Sequence, residues 1–243
     1  MSWQEIWEKR TSTFATMDKS NIEAVFLELK RAIGYDIVKN DKGTSFLDWI
    51  DAYREHSKYL CLRGGDSLYE VGCGSGANLF LFARDGIRVG GADYSHALVT
   101  LMREVFQSYH ITPLECDVLE AKATPTELKY DVVFLDGIAH YFPDYDYAQE
   151  TLQRMLVKAN HTMAWLGVHD KAKEKAFYVA REKIDPDYQK HYEGLPKLFY
   201  FKTFFLDFAE ENHLDVLFTP CPLKGYWNGP FAYNVYFYKR HKN

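Results

Sequence analysis

The stretch that decides the fold is Leu68-Tyr-Glu-Val-Gly-Cys-Gly-Ser-Gly-Ala-Asn78. It begins as a short apolar strand, turns through closely spaced glycines and continues as the first turn of a helix. Glycine tolerates a positive φ and allows the backbone to stand close to a ligand. The free N–H groups at the start of the helix point toward any polar group beside the turn. The stretch therefore predicts a ligand site where a strand meets a helix.

Strands and helices alternate along the chain on both sides of this turn. Strands are predicted at 67–72, 88–93, 112–116, 130–136 and 162–168, with helices at 77–84, 96–109 and 147–158 between them. This alternation is typical of βαβ units and a largely parallel sheet. Further helices are predicted at 171–183 and 202–212, and strands at 214–218 and 231–238 suggest an antiparallel hairpin at one edge.

Length and spacing predict one domain over residues 1–243. Apolar residues recur at helical intervals through residues 1–60, which indicates an N-terminal helical cap on an α/β core at 67–240. The composition, 47% hydrophobic and 26% charged, is that of an ordinary globular domain. Monomer and homodimer both remain open.

Charge and cysteine usage exclude several function classes. A net charge of −5 argues against a broad basic surface, so no nucleic-acid partner is expected. The four cysteines lack Cys-x-x-Cys or Cys/His spacing, so we expect no metal site, no disulfide and a reducing compartment. The N-terminus carries acidic residues and does not read as a signal peptide, and no apolar run is long enough to span a bilayer. A cytoplasmic location without membrane attachment is the resulting expectation.

The segment from Glu70 to Asn78 resembles the first motif of class I S-adenosylmethionine-dependent methyltransferases. Its third glycine comes one residue earlier than in the dinucleotide fingerprint Gly-x-Gly-x-x-Gly. The order of elements from about residue 67 to 238 also matches that family. The resemblance implies a three-layer Rossmann-like α/β sandwich with a seven-stranded mixed sheet. The implied strand order is 3-2-1-4-5-7-6, with the last strand antiparallel.

The resemblance also implies which residues bind the cofactor, S-adenosyl-L-methionine, and its product S-adenosyl-L-homocysteine. The glycine turn would pass under the amino-acid part of the cofactor, with an acid behind it that holds the ammonium or the turn itself. The residues at these positions are Glu70, Gly72, Cys73, Gly74, Gly76 and Asn78.

Two acids farther along the chain are predicted to contact the nucleoside. By resemblance, Asp93 accepts hydrogen bonds from both ribose hydroxyls, and Tyr94 lies against the adenine. An alternative role for Asp93 is a helix N-cap, although Ser95 suits that role better. Asp117 is predicted to meet the adenine amino group, with the backbone of Val118 as its partner. A solvated Asp117 is the alternative.

The loop after the fourth strand is expected to border the reacting groups. Ligands of parallel sheets bind outside the carboxyl ends of the strands. Asp136 and Gly137 are therefore placed beside the cofactor sulfur, with His140 and Tyr141 near the transferable methyl group. His140 is a candidate general base. The alternative is that His140 only packs against the cofactor.

Aromatic residues, 16% of the chain, are candidates for the walls of an acceptor pocket. The N-terminal helix with Trp3, Trp7 and Arg10 resembles a cap over the cofactor. The alternative is that the two tryptophans only dock the helix on the sheet. Segments near 171–200 and 219–230 are expected to cover the substrate. Within them, the candidate pocket residues are Tyr192, Phe199, Tyr226 and Trp227.

Together these features predict in-line methyl transfer from S-adenosylmethionine to an O or N nucleophile of a small molecule. Alignment of the two reactants and exclusion of water supply much of the acceleration in such a reaction. Three alternatives stay open. They are a protein or peptide methyltransferase, a non-catalytic S-adenosylmethionine-binding partner or sensor, and a dinucleotide-dependent oxidoreductase.

Overall fold

The computed structural model describes residues 2–35 and 44–240 and contains a seven-stranded sheet in the order β3-β2-β1-β4-β5-β7-β6. Strand β7 is antiparallel to both of its neighbours, β5 and β6, and the other described strand pairs are parallel. The predicted fold class and strand order are confirmed. The strands are β1 (Ser67–Val71), β2 (Arg88–Asp93), β3 (Cys116–Val118), β4 (Tyr130–Asp136), β5 (Ala159–His169), β6 (Leu214–Pro220) and β7 (Ala232–Lys239).

Helices cover both faces of the sheet. In chain order they are α1 (Trp3–Glu8), α2 (Ile22–Lys30), α3 (Phe46–Leu60), α4 (Ala77–Arg84), α5 (His96–Ser108), α6 (Tyr145–Lys158), α7 (Glu174–Ile184), α8 (Tyr188–His191) and α9 (Lys202–Glu211). Alternate residues of a strand point to opposite faces. Leu68 accordingly packs in a core with α2 to α5, and its neighbour Tyr69 packs in a second core with α6 and α9. Burial on both faces explains the uninterrupted apolar run at 132–135 in β4.

Several predicted boundaries differ from the observed ones. The third strand lies at Cys116–Val118 rather than at 112–116. Pro113 has no N–H to donate, and although Leu114 N donates to Val89 O at 2.8 Å, the regular register with β2 begins at Cys116. Helix α6 begins two residues early, since the Asp144 carboxylate caps it by accepting from Tyr147 N at 2.8 Å. Strand β5 starts at Ala159, where α6 runs directly into the sheet. The helix predicted at 171–183 is Glu174–Ile184, preceded by a 3-10 turn.

Helix α1 is fastened across the carboxyl edge of the sheet at two points. The Glu8 carboxylate accepts hydrogen bonds from His96 N at 2.7 Å and Ala97 N at 3.1 Å, at the positive end of α5. At its other end, Trp3 Nε1 donates to Pro196 O at 3.4 Å. The cap thus bridges the second strand and the C-terminal third of the chain. Within the described ranges, each helix is too short or too polar to cross a membrane.

Candidate active site

A cavity of about 600 Å³ opens at the carboxyl edge of the sheet. Its floor is formed by the residues that follow β1, β2 and β4, as expected for a parallel α/β sheet. Helix α1 contributes Trp3 and Trp7 to its wall, and the segments near 171–200 and 219–230 contribute aromatic and basic side chains. The residues after β1, β2 and β4 and the C-terminal segments are therefore joined in one space.

The glycine turn after β1 requires glycine for both conformation and space. Gly72, Gly74 and Gly76 have φ values of +71°, +52° and +74°. A Cβ at Gly72 would lie 2.4 Å from Ile138 Cδ1, and one at Gly74 would lie 2.7 Å from a methyl of Ile33. Gly76 does not line the cavity, and a Cβ there would meet Met102 instead. Glycine is therefore required at position 76 because the turn packs against Met102 of α5.

The turn is tied to the acid at the end of β2. Asp93 is 4% exposed and lines the cavity, with its two carboxylate oxygens accepting from Gly74 N and Ser95 N at 2.9 Å each. Burial raises the pKa of Asp93 to about 6, although both backbone donors act in the opposite direction. The N-cap of α5 is Ser95, whose hydroxyl accepts from Leu98 N. Lone pairs of Asp93 therefore remain for a diol in the cavity.

A second acidic cluster lies behind the glycine turn. Asn78 Nδ2 donates to Glu70 Oε1 at 2.7 Å and to Asp136 Oδ2 at 3.0 Å, and so holds the two carboxylates together. Lys30, from α2 of the cap, donates to Asn78 Oδ1 at 2.8 Å. Burial and the charge of Asp136 raise the pKa of Glu70, and its Oε2 has no partner among the described residues. The cluster therefore keeps unused hydrogen-bonding capacity inside the cavity.

His140 and Tyr141 lie in the same cavity, on the loop after β4. His140 is 7% exposed and stacks on His169, with ring centroids 4.0 Å apart and planes 1° apart. Burial, and then the charge of Lys197, lower the pKa of His140, so its imidazole is neutral near pH 7. Its Nδ1 has no hydrogen-bond partner in the described structure. Tyr141 stays a phenol because burial raises its pKa.

The remaining residues predicted to bind the cofactor do not all line the cavity. Tyr94 and Gly137 line it, and Tyr94 O accepts from Gln4 Nε2 of the cap at 3.4 Å. Asp117 and Val118 lie on β3 and do not line it; the cavity wall at this point is Leu119 to Ala121. The Asp117 and Val118 roles therefore stay predictions, with no support from the shape of the cavity.

The C-terminal end of the cavity contains most of the predicted aromatic wall. Tyr192, Tyr226 and Trp227 line it, whereas Phe199 is buried outside it against His169 and Phe177. Both cap tryptophans line the cavity and contact the Tyr141 ring, with centroids at 4.6 and 5.5 Å. Arg10 instead donates to the carbonyls of Arg31 and Ala32.

Three basic residues at the site were missed by the sequence reasoning. Lys30 carried a signal, because it lies four residues after Phe26 on the apolar stripe of α2, where a lysine is unexpected. Arg181 and Lys197 carried none, since they occur in a segment with no recognised motif. Arg181 is on α7 and Lys197 is in the loop before α9, and both line the cavity.

Comparison with known proteins agrees with this geometry. Residues 69–160 match the family model of a methyltransferase domain. A nonribosomal peptide synthetase of Metarhizium robertsii is 26% identical over 190 residues, which is 73% of this chain but only 2% of that protein.

Solved structures share the fold across most of the chain. A magnesium protoporphyrin IX methyltransferase from Synechocystis with bound S-adenosylhomocysteine has a TM-score of 0.63 at 14% identity, covering 92% of this chain and 100% of that one. A geranyl diphosphate C-methyltransferase from Streptomyces coelicolor, also holding S-adenosyl-L-homocysteine, has a TM-score of 0.62 at 14% identity. That comparison covers 98% of this chain and 97% of the other.

Residues 69–160 therefore resemble a methyltransferase domain, and the fold is that of the S-adenosylmethionine-dependent methyltransferases of known structure. This agrees with the resemblance carried by the turn at Gly72 to Gly76, and it confirms the Rossmann-like fold expected from the order of elements. S-adenosylmethionine is the cofactor of this class.

Proposed function

We propose that this protein transfers the methyl group of S-adenosylmethionine to an O or N nucleophile of a small molecule. The observation that carries the proposal is one cavity with two different ends. The cofactor residues of the family motif lie at one end, and a wall of aromatic and basic side chains lies at the other. Such a space suits a cofactor beside a small acceptor better than a protein surface, because α1 and the C-terminal segments cover it.

The residues fit the cofactor. Asp93 lines the cavity and keeps lone pairs that would accept from the ribose diol, and Glu70, whose Oε2 has no partner among the described residues, would favour the cofactor's ammonium. The glycine turn leaves room that a Cβ at Gly72 or Gly74 would disturb by displacing Ile138 or Ile33. When bound, S-adenosylmethionine supplies an electrophilic methyl group on a sulfonium that is an excellent leaving group.

The work left to the protein is alignment of the acceptor and removal of its proton. His140 is neutral and lines the cavity, and its Nδ1 has no partner in the described structure. It can accept the proton of a hydroxyl or amine as that group becomes the nucleophile. His169 packs flat against the His140 ring, and its Nε2 is paired with Asn228 Nδ2 at 2.9 Å. His169 therefore fixes the position of the base.

Calorimetry with S-adenosylmethionine, S-adenosylhomocysteine and NAD tests the cofactor assignment. We expect both adenosyl compounds to bind and NAD not to bind. NAD binding without binding of either adenosyl compound would favour the oxidoreductase alternative and overturn the proposal. The Gly74→Val variant tests whether the glycine turn holds the cofactor. Its added atoms must displace Ile33 from the cavity wall, so neither adenosyl compound should bind to it.

Turnover is tested by the release of S-adenosylhomocysteine in the presence of small phenols, amines and acids. We expect release to depend on an added small acceptor. Cofactor binding without release across the panel would favour a sensor or a partner subunit. Release that depends only on added polypeptides would favour the protein methyltransferase alternative.

A further inference from the structure

The far end of the cavity is basic, in contrast to the acidic cofactor end. Arg181 and Lys197 both line this part of the wall. Arg181 is 6% exposed, yet its Nε has no hydrogen-bond partner in the part of the chain that the structure describes. A guanidinium N–H that is buried beside a cavity and unpaired is costly, and the cost is relieved when an acceptor binds there.

Aromatic rings, rather than carboxylates, surround the two cations. The Arg181 guanidinium lies 4.7 Å from the ring centroid of Tyr188 and 4.9 Å from that of Trp227. Lys197 Nζ lies 4.3 Å from the centroid of Tyr141 and 4.7 Å from that of Trp3. Ring faces hold the cations in place, but they leave the N–H donors without an anionic partner.

The charges that act on this region come from other basic groups. Burial, and then the charge of Arg181, lower the pKa of Lys197 well below its usual range. Burial, and then the charge of Lys197, lower the pKa of His140 and of His169. In the described structure neither Arg181 nor Lys197 forms a salt bridge within 4.0 Å. The region therefore lacks a negative charge that a ligand can supply.

We propose that the methyl acceptor is an oxyanion, a small flat molecule whose carboxylate or phosphate binds between Arg181 and Lys197. The proposal rests on the proposed function, since it names the acceptor class for the same cavity. Arginine presents several N–H donors to a planar anion, and a bound anion would favour the charged form of Lys197, whose pKa burial and Arg181 lower. The surrounding rings suit an aromatic body. An acceptor held this way lies near His140, whose backbone carbonyl accepts from Leu198 N, next to Lys197, at 2.9 Å.

The alternative is that the two cations only brace the aromatic wall. Arg181 lies between two rings, and a stacked guanidinium stabilises a fold without any ligand. The two possibilities differ in one measurable property. A structural cation does not discriminate between a charged ligand and a neutral ligand of the same shape, whereas an anion site does.

The test compares 4-hydroxybenzoate with 4-hydroxybenzamide, which are matched in shape and differ in charge. Binding is measured by calorimetry on the full chain saturated with S-adenosylhomocysteine. We expect the carboxylate to bind at least about tenfold more tightly than the amide. Phenyl phosphate is measured in the same way, and whichever anion binds more tightly identifies the group as carboxylate or phosphate.

Two variants and one control assign the preference to these residues. Arg181→Met and Lys197→Met should each reduce the preference for the carboxylate, and together they should abolish it. Lys175→Met is the matched control. It makes the same change in charge on the same helix as Arg181, but Lys175 is exposed and does not line the cavity. Its preference should equal that of the unmodified protein.

Failure of this proposal is distinguishable from failure of the proposed function. Equal affinity for the acid and the amide, no binding of any of the three ligands, or a preference that survives in the double variant overturns the oxyanion site. If S-adenosylhomocysteine still binds in that experiment, the proposed function stands. If S-adenosylhomocysteine does not bind, the proposed function fails first.

Discussion

The two ends of the cavity differ in the charge of their buried side chains. The end formed by the residues after β1, β2 and β4, which we call the cofactor end, is acidic, and the end formed by the C-terminal segments, which we call the acceptor end, is basic. At the cofactor end, Asn78 joins Glu70 to Asp136, and Lys30 reaches in from the cap to oppose their charge.

At the acceptor end, Arg181 and Lys197 lie among rings. Lys30 Nζ also lies over a ring, 4.2 Å from the centroid of Trp49, and none of the three cations forms a salt bridge in the described structure. The difference is that Lys30 donates to Asn78, which holds two carboxylates, whereas Arg181 Nε has no partner there. We therefore expect Lys30 to serve stability and Arg181 to serve binding.

His140, between the two ends, should show the largest effect. His140→Ala should lower kcat by about 10²- to 10⁴-fold, the range typical of a lost general base. The dissociation constant of S-adenosylhomocysteine should change far less, because the predicted cofactor contacts are left intact. The measurement is the rate of S-adenosylhomocysteine release, beside a titration of the same variant.

The matched control for that variant is His161→Ala, at the other end of β5 from His169. It should leave both quantities near those of the unmodified protein. If His140→Ala changes kcat and cofactor affinity by the same factor, His140 is a packing residue, and the acceptor's proton leaves by another route.

The next prediction contrasts the cations of the two ends. Lys30→Met should lower the free energy of unfolding by about 3 kcal/mol, because it leaves the carboxylates behind Asn78 without their buried countercharge. Lys197→Met should change it by less than about 1 kcal/mol, since only ring contacts are lost. Urea unfolding without cofactor measures both.

The combination of Lys30→Met with Glu70→Gln is the check on that interpretation. The second substitution removes one uncompensated acid, so the double variant should recover part of the lost stability. If Lys30→Met and Lys197→Met lower the free energy of unfolding by the same amount, Lys30 is not a stabilising countercharge and the two lysines do not differ in role.

Asp93→Ala probes the nucleoside part of the acidic end. We expect it to weaken S-adenosylhomocysteine binding by about 1–3 kcal/mol, because the ribose hydroxyls and the Gly74 amide lose a buried acceptor. Asp117→Ala is the comparison variant, on β3 and outside the cavity lining. An effect of Asp117→Ala as large as that of Asp93→Ala would support the predicted adenine contact at Asp117 despite its position.

Much of the fold and part of the candidate site could be predicted from the sequence, for identifiable physical reasons. The glycine turn and the acid at the end of β2 lie within motifs whose chemistry is local, so their neighbours in sequence are also their neighbours in space. Lys30 was marked only by its place on the apolar stripe of α2. Its contact with Asn78 spans 48 positions of the chain, and a single sequence does not show which residue such a lysine meets.

Two further misses have local causes. The third strand was placed too early because its apolar residues suggested pairing that Pro113 cannot support. Arg181 and Lys197 resembled solvated charges, because their segment has charged residues throughout and burial there depends on the cap. Trp3 of α1 forms one of the rings that cover Lys197.

The smallest expected effect is a dependence of cofactor affinity on pH, which reports on the acid Asp93 at the cofactor end. Burial raises the pKa of Asp93 to about 6, so Asp93 is ionised at pH 7 and mostly protonated at pH 5. The protonated acid offers a weaker acceptor to the ribose hydroxyls. Affinity for S-adenosylhomocysteine should therefore be level above about pH 7 and fall by up to about tenfold per unit below pH 6.

Calorimetry between pH 5 and pH 8 measures this dependence, with Asp93→Asn as the control. The amide cannot titrate, so the variant should bind weakly at every pH and show no slope in that interval. His140 should add little to this dependence, since burial lowers its pKa and it does not belong to the predicted cofactor contacts. A slope that persists in Asp93→Asn would assign the titration to Glu70, whose pKa is also raised by burial and by Asp136. The acidic cluster rather than the ribose acid would then set the pH limit for cofactor binding.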